Sequence, residues 1–440
     1  MITVLGGGPA GRLAAIHLAL AGEKVRLVEK RGSLGGQCLH QGCMVICGLN
    51  DCAKLLDESK KLQKLSVLDS KPNVSLQNLW AEMNNIQNTI SKILDSETEG
   101  AGVDIIKGEA YLSGSEVMVN NKRLDSDRVL IATGSKPFIP DIPGNNLNRV
   151  YNPHTIFKLR EIPKNLVIVG GGIIAAEYSY IFSVFGSNVT IVSRSLFLRD
   201  KPETLRKTAV KDIKDVTIKE HTLLREIHGE NRVKSIVLES VGIKNEIECD
   251  AVLFASGLIA QTENISKISK GERGEILIND SYETSVKGVY AAGDVTGKVF
   301  MTPYARMQGI CAAKSILGEK VPQIPDCIPQ SVKLFYEHSF FSGDLKDTYE
   351  MILPSPSGPG SFWSVPERNT GQSMIRVEKI TGEIRGMYLG APSSSAVCAY
   401  MAYLSEKGVK VADFEKYMEV HPSTDGIYGL IKYADSIRKK

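Results

Sequence analysis

One strand–turn–helix pattern occurs twice in the chain, and this repeat restricts the possible folds more than any other feature. The apolar strand ITVL runs into GGGPAG and a helical segment, and NLVIV runs into GGGIIAAE and a second helical segment. The matching small residues are Gly6, Gly8 and Gly11 in the first copy and Gly170, Gly172 and Ala175 in the second. In dinucleotide-binding motifs they permit a tight turn, close approach of the backbone to a pyrophosphate, and packing of helix on strand. The repeat predicts an α/β fold with two Rossmann-like dinucleotide-binding domains.

The residue that ends the next strand differs between the two copies. Glu29 follows Gly11 by 18 residues, where a carboxylate can accept a hydrogen bond from a ribose 2′-hydroxyl. The same count in the second copy reaches Ser193, and Arg194 and Arg199 come soon after it. Without the carboxylate a 2′-phosphate is not repelled, and guanidinium groups are natural partners for that phosphate. We therefore predict NADP as a cofactor, with NADPH preferred over NADH; the alternative is two solvated surface arginines.

Residues 35–52, GGQCLHQGCMVICGLNDC, contain four of the chain's eight cysteines. The sulfurs of Cys38 and Cys43 can meet only if the backbone turns between them, because a disulfide needs Cα atoms within about 7 Å. The segment from Cys43 onward can be helical, which sets Cys47 one turn above Cys43 on the same face. The cysteines could be inert apolar residues, metal ligands or a redox disulfide. A metal is disfavoured because the spacing lacks the close C-x2-C pairs of most zinc and cluster motifs, and we predict no metal site.

The composition excludes several classes of protein. Hydrophobic residues make up 42% of the chain, charged residues 23%, and the net charge is +3, so nothing predicts a nucleic-acid partner. No apolar run reaches the roughly 18 residues of a membrane span, so we expect no membrane partner and a cytoplasmic protein. Cysteines scattered through so long a chain are not a secreted disulfide scaffold, and a clustered subset is more typical of catalysis.

Other segments complete the predicted organisation. Residues 53–100 have the pattern of one or two long amphipathic helices, and residues 105–135 alternate like β-hairpins. The turns ATGS and AAGDV each follow an apolar strand and suit close packing of backbone against a bound cofactor, and Asp294 can accept from a sugar-like hydroxyl or cap a helix. PFIPDIPG predicts a domain boundary. From about residue 326 strands are followed by helices, which predicts an α+β domain.

With these motifs in this order, the chain resembles the flavoprotein disulfide reductases that include dihydrolipoamide dehydrogenase, glutathione reductase and mercuric reductase. The features that match are GGGPAG with Glu29, GGQCLHQGC, ATGS, GGGIIAAE, AAGDV and HPSTD. The resemblance implies an FAD-binding domain in two pieces, 1–145 and 263–325, around an NAD(P)-binding domain at 146–262. It also implies a dimerisation domain at 326–440 and a homodimer whose active site is shared across the interface.

The resemblance also implies roles for single residues. Cys38 matches the thiol that attacks substrate, Cys43 the thiol beside the flavin, and Glu177 the acid near the nicotinamide. His421 matches the acid/base that serves the other subunit's disulfide. The residues we expect to bind FAD are Gly6, Gly8, Pro9, Ala10, Gly11, Glu29, Lys30, Gly36, Ala132, Thr133, Gly134, Gly293 and Asp294. Those we expect to bind the pyridine nucleotide are Gly170, Gly172, Ala175, Ser193, Arg194, Arg199 and Gly257.

Three features depart from the family pattern. The redox motif usually ends C-x-P-x-K, whereas here Val45 replaces the proline and Cys47 the lysine. Glu177 then lacks its usual ammonium partner, which would raise its pKa, and Cys47 is either an inert filler or a third thiol that exchanges with the disulfide. The acid that usually follows the histidine by five residues is replaced by Asp425, one position earlier. The cysteine pairs of many mercuric reductases are missing, so we do not expect mercury as a substrate.

The function we predict is that of a flavoprotein disulfide reductase most like dihydrolipoamide dehydrogenase. Electrons would move between NAD(P)H, FAD, a disulfide of Cys38 and Cys43, and an external dithiol or disulfide such as a lipoyl group or a small thiol cofactor. Two alternatives stay open on the same frame. One is a flavin-dependent oxidase or a quinone or metal-ion reductase, and the other is an electron-transfer subunit of a larger redox complex.

Overall fold

A computed structural model describes residues 1–69 and 72–438 of the chain. The first part, up to residue 137, contains the first fingerprint and the cysteine segment. Its elements are β1 (Ile2–Leu5), α1 (Pro9–Leu20), β2 (Val25–Glu29), α2 (Gly36–His40), α3 (Cys43–Lys64), α4 (Leu76–Gly100), β3 (Val103–Lys107), β4 (Ala110–Ser113), β5 (Glu116–Val119), β6 (Lys122–Leu124), β7 (Arg128–Ile131) and β8 (Ser135–Pro137). One or two long helices were predicted between residues 53 and 100, and the structure has two, α4 and the later part of α3.

The hairpin prediction for residues 105–135 holds only for its middle. Strands β4, β5 and β6 form an antiparallel meander, whereas β3 and β7 join a parallel sheet with β1 and β2. Burial explains why β7 joins the parallel sheet. Its residues 129–131 are apolar and buried one after another, as is typical of a strand that is covered on both faces.

The turn after β1 has the backbone that the glycine pattern predicts. Gly6 has a φ of +111°, and a Cβ atom there would lie 2.3 Å from the carbonyl oxygen of Ala132. A Cβ atom on Gly11 would lie 2.0 Å from the carbonyl oxygen of Gly6. Only glycine fits these two positions, so the turn can pack against β7 and α1 against β1.

The second fingerprint builds a second parallel sheet. The elements of this part are β9 (Val150–Tyr151), β10 (Asn165–Val169), α5 (Ile173–Phe185), β11 (Asn188–Val192), α6 (Glu203–Asp212), β12 (Thr217–Lys219), β13 (Leu223–Gly229), β14 (Val233–Ser240), β15 (Ile243–Glu248), β16 (Ala251–Phe254) and β17 (Leu258–Ala260). The sheet order is β12-β11-β10-β16-β9, with an antiparallel β13-β14-β15 sheet beside it. Gly170, with a φ of +135°, repeats the role of Gly6, since a Cβ atom there would lie 2.2 Å from the carbonyl oxygen of Ala255.

After residue 260 the chain returns to the first sheet. This part contains β18 (Ile265–Ser266), β19 (Val289–Ala291) and α7 (Thr302–Ile316). Strand β19 completes the parallel order β19-β7-β1-β2-β3, and β18 pairs with β4. Helix α7 packs closely on α1, because a Cβ atom on Gly309 would lie 2.3 Å from the carbonyl oxygen of Ala10.

The C-terminal part is an antiparallel sheet with helices. Its elements are β20 (Gln330–Lys333), β21 (Glu337–Ser342), β22 (Thr348–Pro354), β23 (Gln372–Glu378), β24 (Ile384–Ala391), α8 (Ser394–Glu406) and α9 (Ile427–Arg438). The sheet order is β20-β21-β24-β23-β22. The predicted fold class, two Rossmann-like domains followed by an α+β domain, is confirmed. The exact domain boundaries stay a prediction, and the last two residues of the 326–440 segment lie outside the described residues.

One apolar core joins the cysteine helix to the two later parts of the chain. It includes Leu49 and Ala53 of α3, Tyr178 and Phe182 of α5, and Phe335 just after β20. This packing holds α3 against the second fingerprint helix and the C-terminal sheet. Among the described residues, no helix is both long enough and apolar enough to cross a membrane.

Candidate active site

A cavity of about 730 Å³ lies where the three parts of the chain meet. The first part of the chain and the part that returns to its sheet contribute Gly6, Gly8, Pro9 and Ala10 of the first fingerprint, Gly36, the turn 132–134, Gly293 and Asp294. Glu177 lines it from α5 and Lys333 from β20. Cys38, Cys43 and Cys47 all line the same cavity, so the three thiols share one space as the cysteine spacing predicted.

Glu29 stands at the carboxyl end of β2 with its side chain buried. Its carboxylate accepts the N–H of Gly7 at 2.8 Å and the N–H of Arg31 at 2.7 Å. A carboxylate has about four lone-pair positions, so two remain for the hydroxyls of a ribose. Lys30 and Arg31 also line this end of the cavity. On the opposite side Asp294 accepts the hydroxyl of Ser135 at 2.7 Å, which holds this second acid in place.

Several buried polar atoms of the cavity have no hydrogen-bond partner in the part of the chain that is described, and they indicate whether the cavity suits a dinucleotide. Gln37 Oε1, His154 Nε2 and Tyr178 Oη are buried without a hydrogen-bond partner among the described residues, and all three residues line the cavity. An unsatisfied buried polar group costs about 1–3 kcal/mol, so such atoms indicate a polar ligand. Burial, with the charges of Arg31 and Lys30, lowers the pKa of His154 to about 4, so its ring is neutral. The lining residues fit FAD.

Cys38 and Cys43 lie on either side of a sharp turn between α2 and α3. Their sulfurs are close enough for the Cys43 thiol to donate a hydrogen bond to Cys38, and Thr302 Oγ1 of α7 lies 3.5 Å from Cys43 Sγ. The hydrogen bond from Cys43, helped by the Thr302 hydroxyl and the charge of Arg306, lowers the pKa of Cys38 despite burial. The same pairing raises the pKa of Cys43, although this residue is exposed. Cys38 is therefore the stronger nucleophile of the pair at neutral pH.

Alkylation of the reduced protein checks this difference in acidity. Because the thiolate is the reactive form, the rate at which iodoacetamide modifies Cys38 should rise with pH. It should reach half its maximum below the ordinary thiol value, because the pKa of Cys38 is lowered. The Cys43→Ala variant has no donor at this position and so removes the largest cause of the shift, and its midpoint should move upward. Mass spectrometry of the modified peptide identifies the residue. A midpoint near the ordinary thiol value of about 8.5 in the unmodified protein would contradict the expected acidity.

Glu177 is a buried carboxyl group in a helix that is itself mostly buried. Its Oε1 accepts the backbone N–H of Lys333 at 3.0 Å, while the Lys333 ammonium binds Glu337 at 2.8 Å. Burial raises the pKa of Glu177 to about 8, and the Lys333 N–H offsets only part of that rise. The raised pKa expected from the loss of the motif lysine is therefore present, because a single backbone donor replaces an ion pair.

Cys47 is half-buried one helical turn beyond Cys43, and burial raises the pKa of its thiol. In a regular helix the Cβ atoms of residues four apart are about 5–6 Å apart, whereas a disulfide needs about 3.5–4.5 Å. A Cys43–Cys47 bond would thus require the first turn of α3 to open. Cys52 lies farther along α3 and packs on the apolar core. A catalytic role for Cys47 stays a prediction, and its position equally suits packing.

At the second fingerprint Ser193 occupies the place that Glu29 has in the first. It is buried just after β11, and a Cβ atom on Gly171 would lie 2.3 Å from Ser193 Oγ. Arg194 is exposed, and its side chain has no hydrogen bond or ion pair within the described ranges. Arg199 is also exposed and binds Asp200 at 3.2 Å. The predicted pyridine nucleotide residues other than Glu177 lie outside the main cavity, as two separate dinucleotide sites require.

His421 and Asp425 do not line the cavity of their own chain. His421 is exposed and precedes a cis proline, and its ring has no hydrogen bond to any described residue. The Asp425 carboxylate accepts the N–H of Ile427 at 2.8 Å and so caps the start of α9. Within one chain the structure therefore does not join this acid to the histidine.

Three residues at the site were missed by the sequence patterns: Thr302, Lys333 and His154. Thr302 approaches the sulfurs, the Lys333 backbone binds Glu177, and His154 presents a ring nitrogen to the cavity. Each comes from a distant part of the chain, and the only local signal was Thr302-Pro303, a typical helix start. Among the residues that the structure describes, no group of three or more His, Cys, Asp or Glu could hold a metal ion.

A dinucleotide cavity that opens onto two close thiols, beside a second nucleotide fingerprint, defines a flavin- and pyridine nucleotide-dependent oxidoreductase. Comparison with known proteins agrees: the family model "Pyridine nucleotide-disulphide oxidoreductase" matches residues 1–309. The chain belongs to this family. The predicted family and flavoprotein disulfide reductase class are confirmed, and FAD and a pyridine nucleotide are its cofactors.

Individual relatives extend over nearly the whole chain. The dihydrolipoyl dehydrogenase of Buchnera aphidicola subsp. Acyrthosiphon pisum is 30% identical over 98% of this chain and 94% of its own length. The mercuric reductase of Lysinibacillus sphaericus is 28% identical over 94% of this chain and 78% of its own length. The solved structure of the HOCl-induced flavoprotein disulfide reductase RclA from Escherichia coli superposes with a TM-score of 0.85 at 23% identity, covering 98% of both chains, which shows a shared fold.

Proposed function

We propose that this protein is an FAD-dependent NADPH:disulfide oxidoreductase that reduces, or forms, a small or lipoyl-type disulfide through Cys38 and Cys43. The observation on which the proposal depends is the sulfur pair itself, with an acidic Cys38 thiol and a Cys43 thiol that donates to it beside a dinucleotide cavity. The dihydrolipoyl dehydrogenases among the relatives support a dithiol substrate.

Each sulfur has a separate task in the proposed reaction. FAD, when bound, supplies two-electron transfer between the pyridine nucleotide and the sulfur pair. The Cys38 thiolate attacks one sulfur of the substrate disulfide, forms a mixed disulfide and releases one thiolate. Cys43 then attacks Cys38, so the second substrate thiol leaves and the Cys38–Cys43 disulfide forms. The substrate gains two electrons and the cysteine pair loses two.

A homodimer would complete this site, because His421 lies outside the cavity of its own chain. The leaving thiolate needs a proton, and His421 of a second copy would donate it. Large apolar side chains exposed on the C-terminal part support such an interface: Tyr400 and Tyr403 of α8, with Met418 and Val420. Exposed apolar patches of this kind are typical of association surfaces.

The experiment that tests the proposal is an anaerobic screen of oxidised thiols with NADPH and NADH. We expect rapid reduction of at least one disulfide by the unmodified protein and none by a variant without Cys38. If NADPH reduced only oxygen, quinones or metal ions, at a rate that did not depend on Cys38, the sulfur pair would not be the route and the proposal would fail.

Cofactor preference is a separate prediction. We expect a higher kcat/KM for NADPH than for NADH, because Ser193 and Arg194 stand where an acid would repel the 2′-phosphate. Arg194→Ala should lower the preference by about tenfold or more, since a charge-assisted contact contributes about 1.5–3 kcal/mol. Arg199→Ala is the matched control, with a smaller expected effect because Asp200 already binds that guanidinium. Equal kcat/KM values for both cofactors in the unmodified protein would refute the preference.

A further inference from the structure

Arg306 is placed by α7 beside the reactive sulfurs. The helix begins at Thr302, whose hydroxyl approaches Cys43, and Arg306 follows one turn later on the same face. Thr302 is half-buried and Arg306 is exposed, so the guanidinium is open to solvent. Its positive charge helps to lower the pKa of Cys38, although it contributes less than the hydrogen bonds from Cys43 and Thr302.

The guanidinium of Arg306 forms no ion pair within the part of the chain that the structure describes. No described carboxylate or carbonyl oxygen binds its guanidinium, in contrast to Lys314 on the same helix, which binds Glu319 at 2.8 Å. A guanidinium presents five donors in a fixed fork that matches a carboxylate. An unpaired one beside a nucleophile is therefore available to a ligand.

The whole segment around Arg306 is basic. Residues 295–318 contain no aspartate or glutamate, and their charged residues are Lys298, Arg306 and Lys314. The N-terminal end of α7, where a helix dipole is positive, also lies at the sulfurs. The charge of Arg306 and the helix N-terminus add to a positive potential at the point where a substrate must approach Cys38. Lys314 lies about two turns farther along α7 and is paired with Glu319.

We infer that Arg306 makes this enzyme selective for anionic disulfides, those with a carboxylate a few bonds from the sulfur. The inference rests on the proposed function and names the substrate class of that site. When Cys38 attacks, the substrate sulfur becomes bonded to it, so a group on the next few carbons lies within reach of the guanidinium. The same positive charge stabilises the thiolate that leaves. A cationic disulfide would meet repulsion at both stages.

Three disulfides of similar size test the inference: dithiodipropionate, which is anionic, bis(2-hydroxyethyl) disulfide, which is neutral, and cystamine, which is cationic. We expect kcat/KM with NADPH to decrease in that order, by about tenfold per step at low salt. The differences should shrink as ionic strength rises, because salt screens exposed charges. Arg306→Gln should reduce the anionic-to-cationic ratio at least tenfold, and Arg306→Glu should invert the order.

Lys314→Gln is the matched control, since it removes a positive charge from the same helix away from the sulfurs and should leave the ratio unchanged. The inference would be overturned if Arg306→Gln left the ratio of kcat/KM for the anionic and the cationic disulfide unchanged. It would also be overturned if the variant altered subunit association but preserved the order of the three disulfides. If the neutral disulfide were reduced in a Cys38-dependent way without any charge order, only the inference would fail. If none of the three were reduced through Cys38, the proposed function would fail and the inference with it.

Discussion

Replacing Cys38 by serine is expected to lower NADPH-driven disulfide reduction by about 10³-fold or more, while NADPH still bleaches the bound flavin. A serine hydroxyl is not ionised near neutral pH, whereas the hydrogen bond from Cys43 lowers the pKa of the Cys38 thiol and so favours its thiolate. The nucleophile is therefore lost without loss of the dinucleotide cavity. Stopped-flow absorbance at the flavin band and steady-state turnover with the best disulfide measure the two steps separately.

Cys43→Ser should fail in a different way. Cys38 can still attack, but nothing displaces the second half of the substrate, so the reduced variant should release one equivalent of thiol and retain a mixed disulfide at Cys38. Mass spectrometry of the intact protein detects that adduct. Cys52→Ser, farther along α3 and outside the cavity, is the control and should turn over normally. Unimpaired turnover of Cys38→Ser would show that electrons leave the flavin by another route.

Replacing His421 by alanine is expected to slow dithiol–disulfide exchange by about 10²–10⁴-fold, the usual contribution of a general acid or base. Flavin reduction by NADPH should be nearly unchanged, because His421 does not line the dinucleotide cavity of its own chain. Turnover with the best disulfide and the rate of flavin bleaching measure the two effects. His228→Ala, which alters an exposed histidine on β13, is the matched control.

Mixed dimers separate a shared site from a local one. Cys38→Ser and His421→Ala homodimers should each be nearly inactive. After the subunits exchange, a heterodimer has one site with both Cys38 and His421 intact, so activity should return. If the mixture stayed inactive although mass measurements showed heterodimers, His421 would not serve the partner's sulfurs. Full activity of His421→Ala alone would leave the histidine a purely structural role.

Local sequence determined the two nucleotide-binding frames. A tight turn after an apolar strand needs glycine wherever a Cβ atom would clash with a carbonyl oxygen. The positions of Gly6 and Gly170 in the sequence therefore predict where the two turns lie. Glu29 and Ser193 follow by simple counting, because strand and helix lengths are set within one βαβ unit. The sequence also predicted the helix that starts at Cys43, since the periodicity of a helix depends only on residues close in sequence.

Only the tertiary structure decided the acid–base properties of Cys38 and Glu177 and the hydrogen-bond partner of Asp425. The acidity of Cys38 depends partly on Thr302 and Arg306, brought from α7 across the first domain, and the proton affinity of Glu177 depends on burial and on the backbone of Lys333. Asp425 was a candidate partner for His421, yet it caps α9, because the nearest free N–H groups are those at the start of its own helix. Desolvation and long-range charge have no local sequence signature, because they depend on which distant segments pack together.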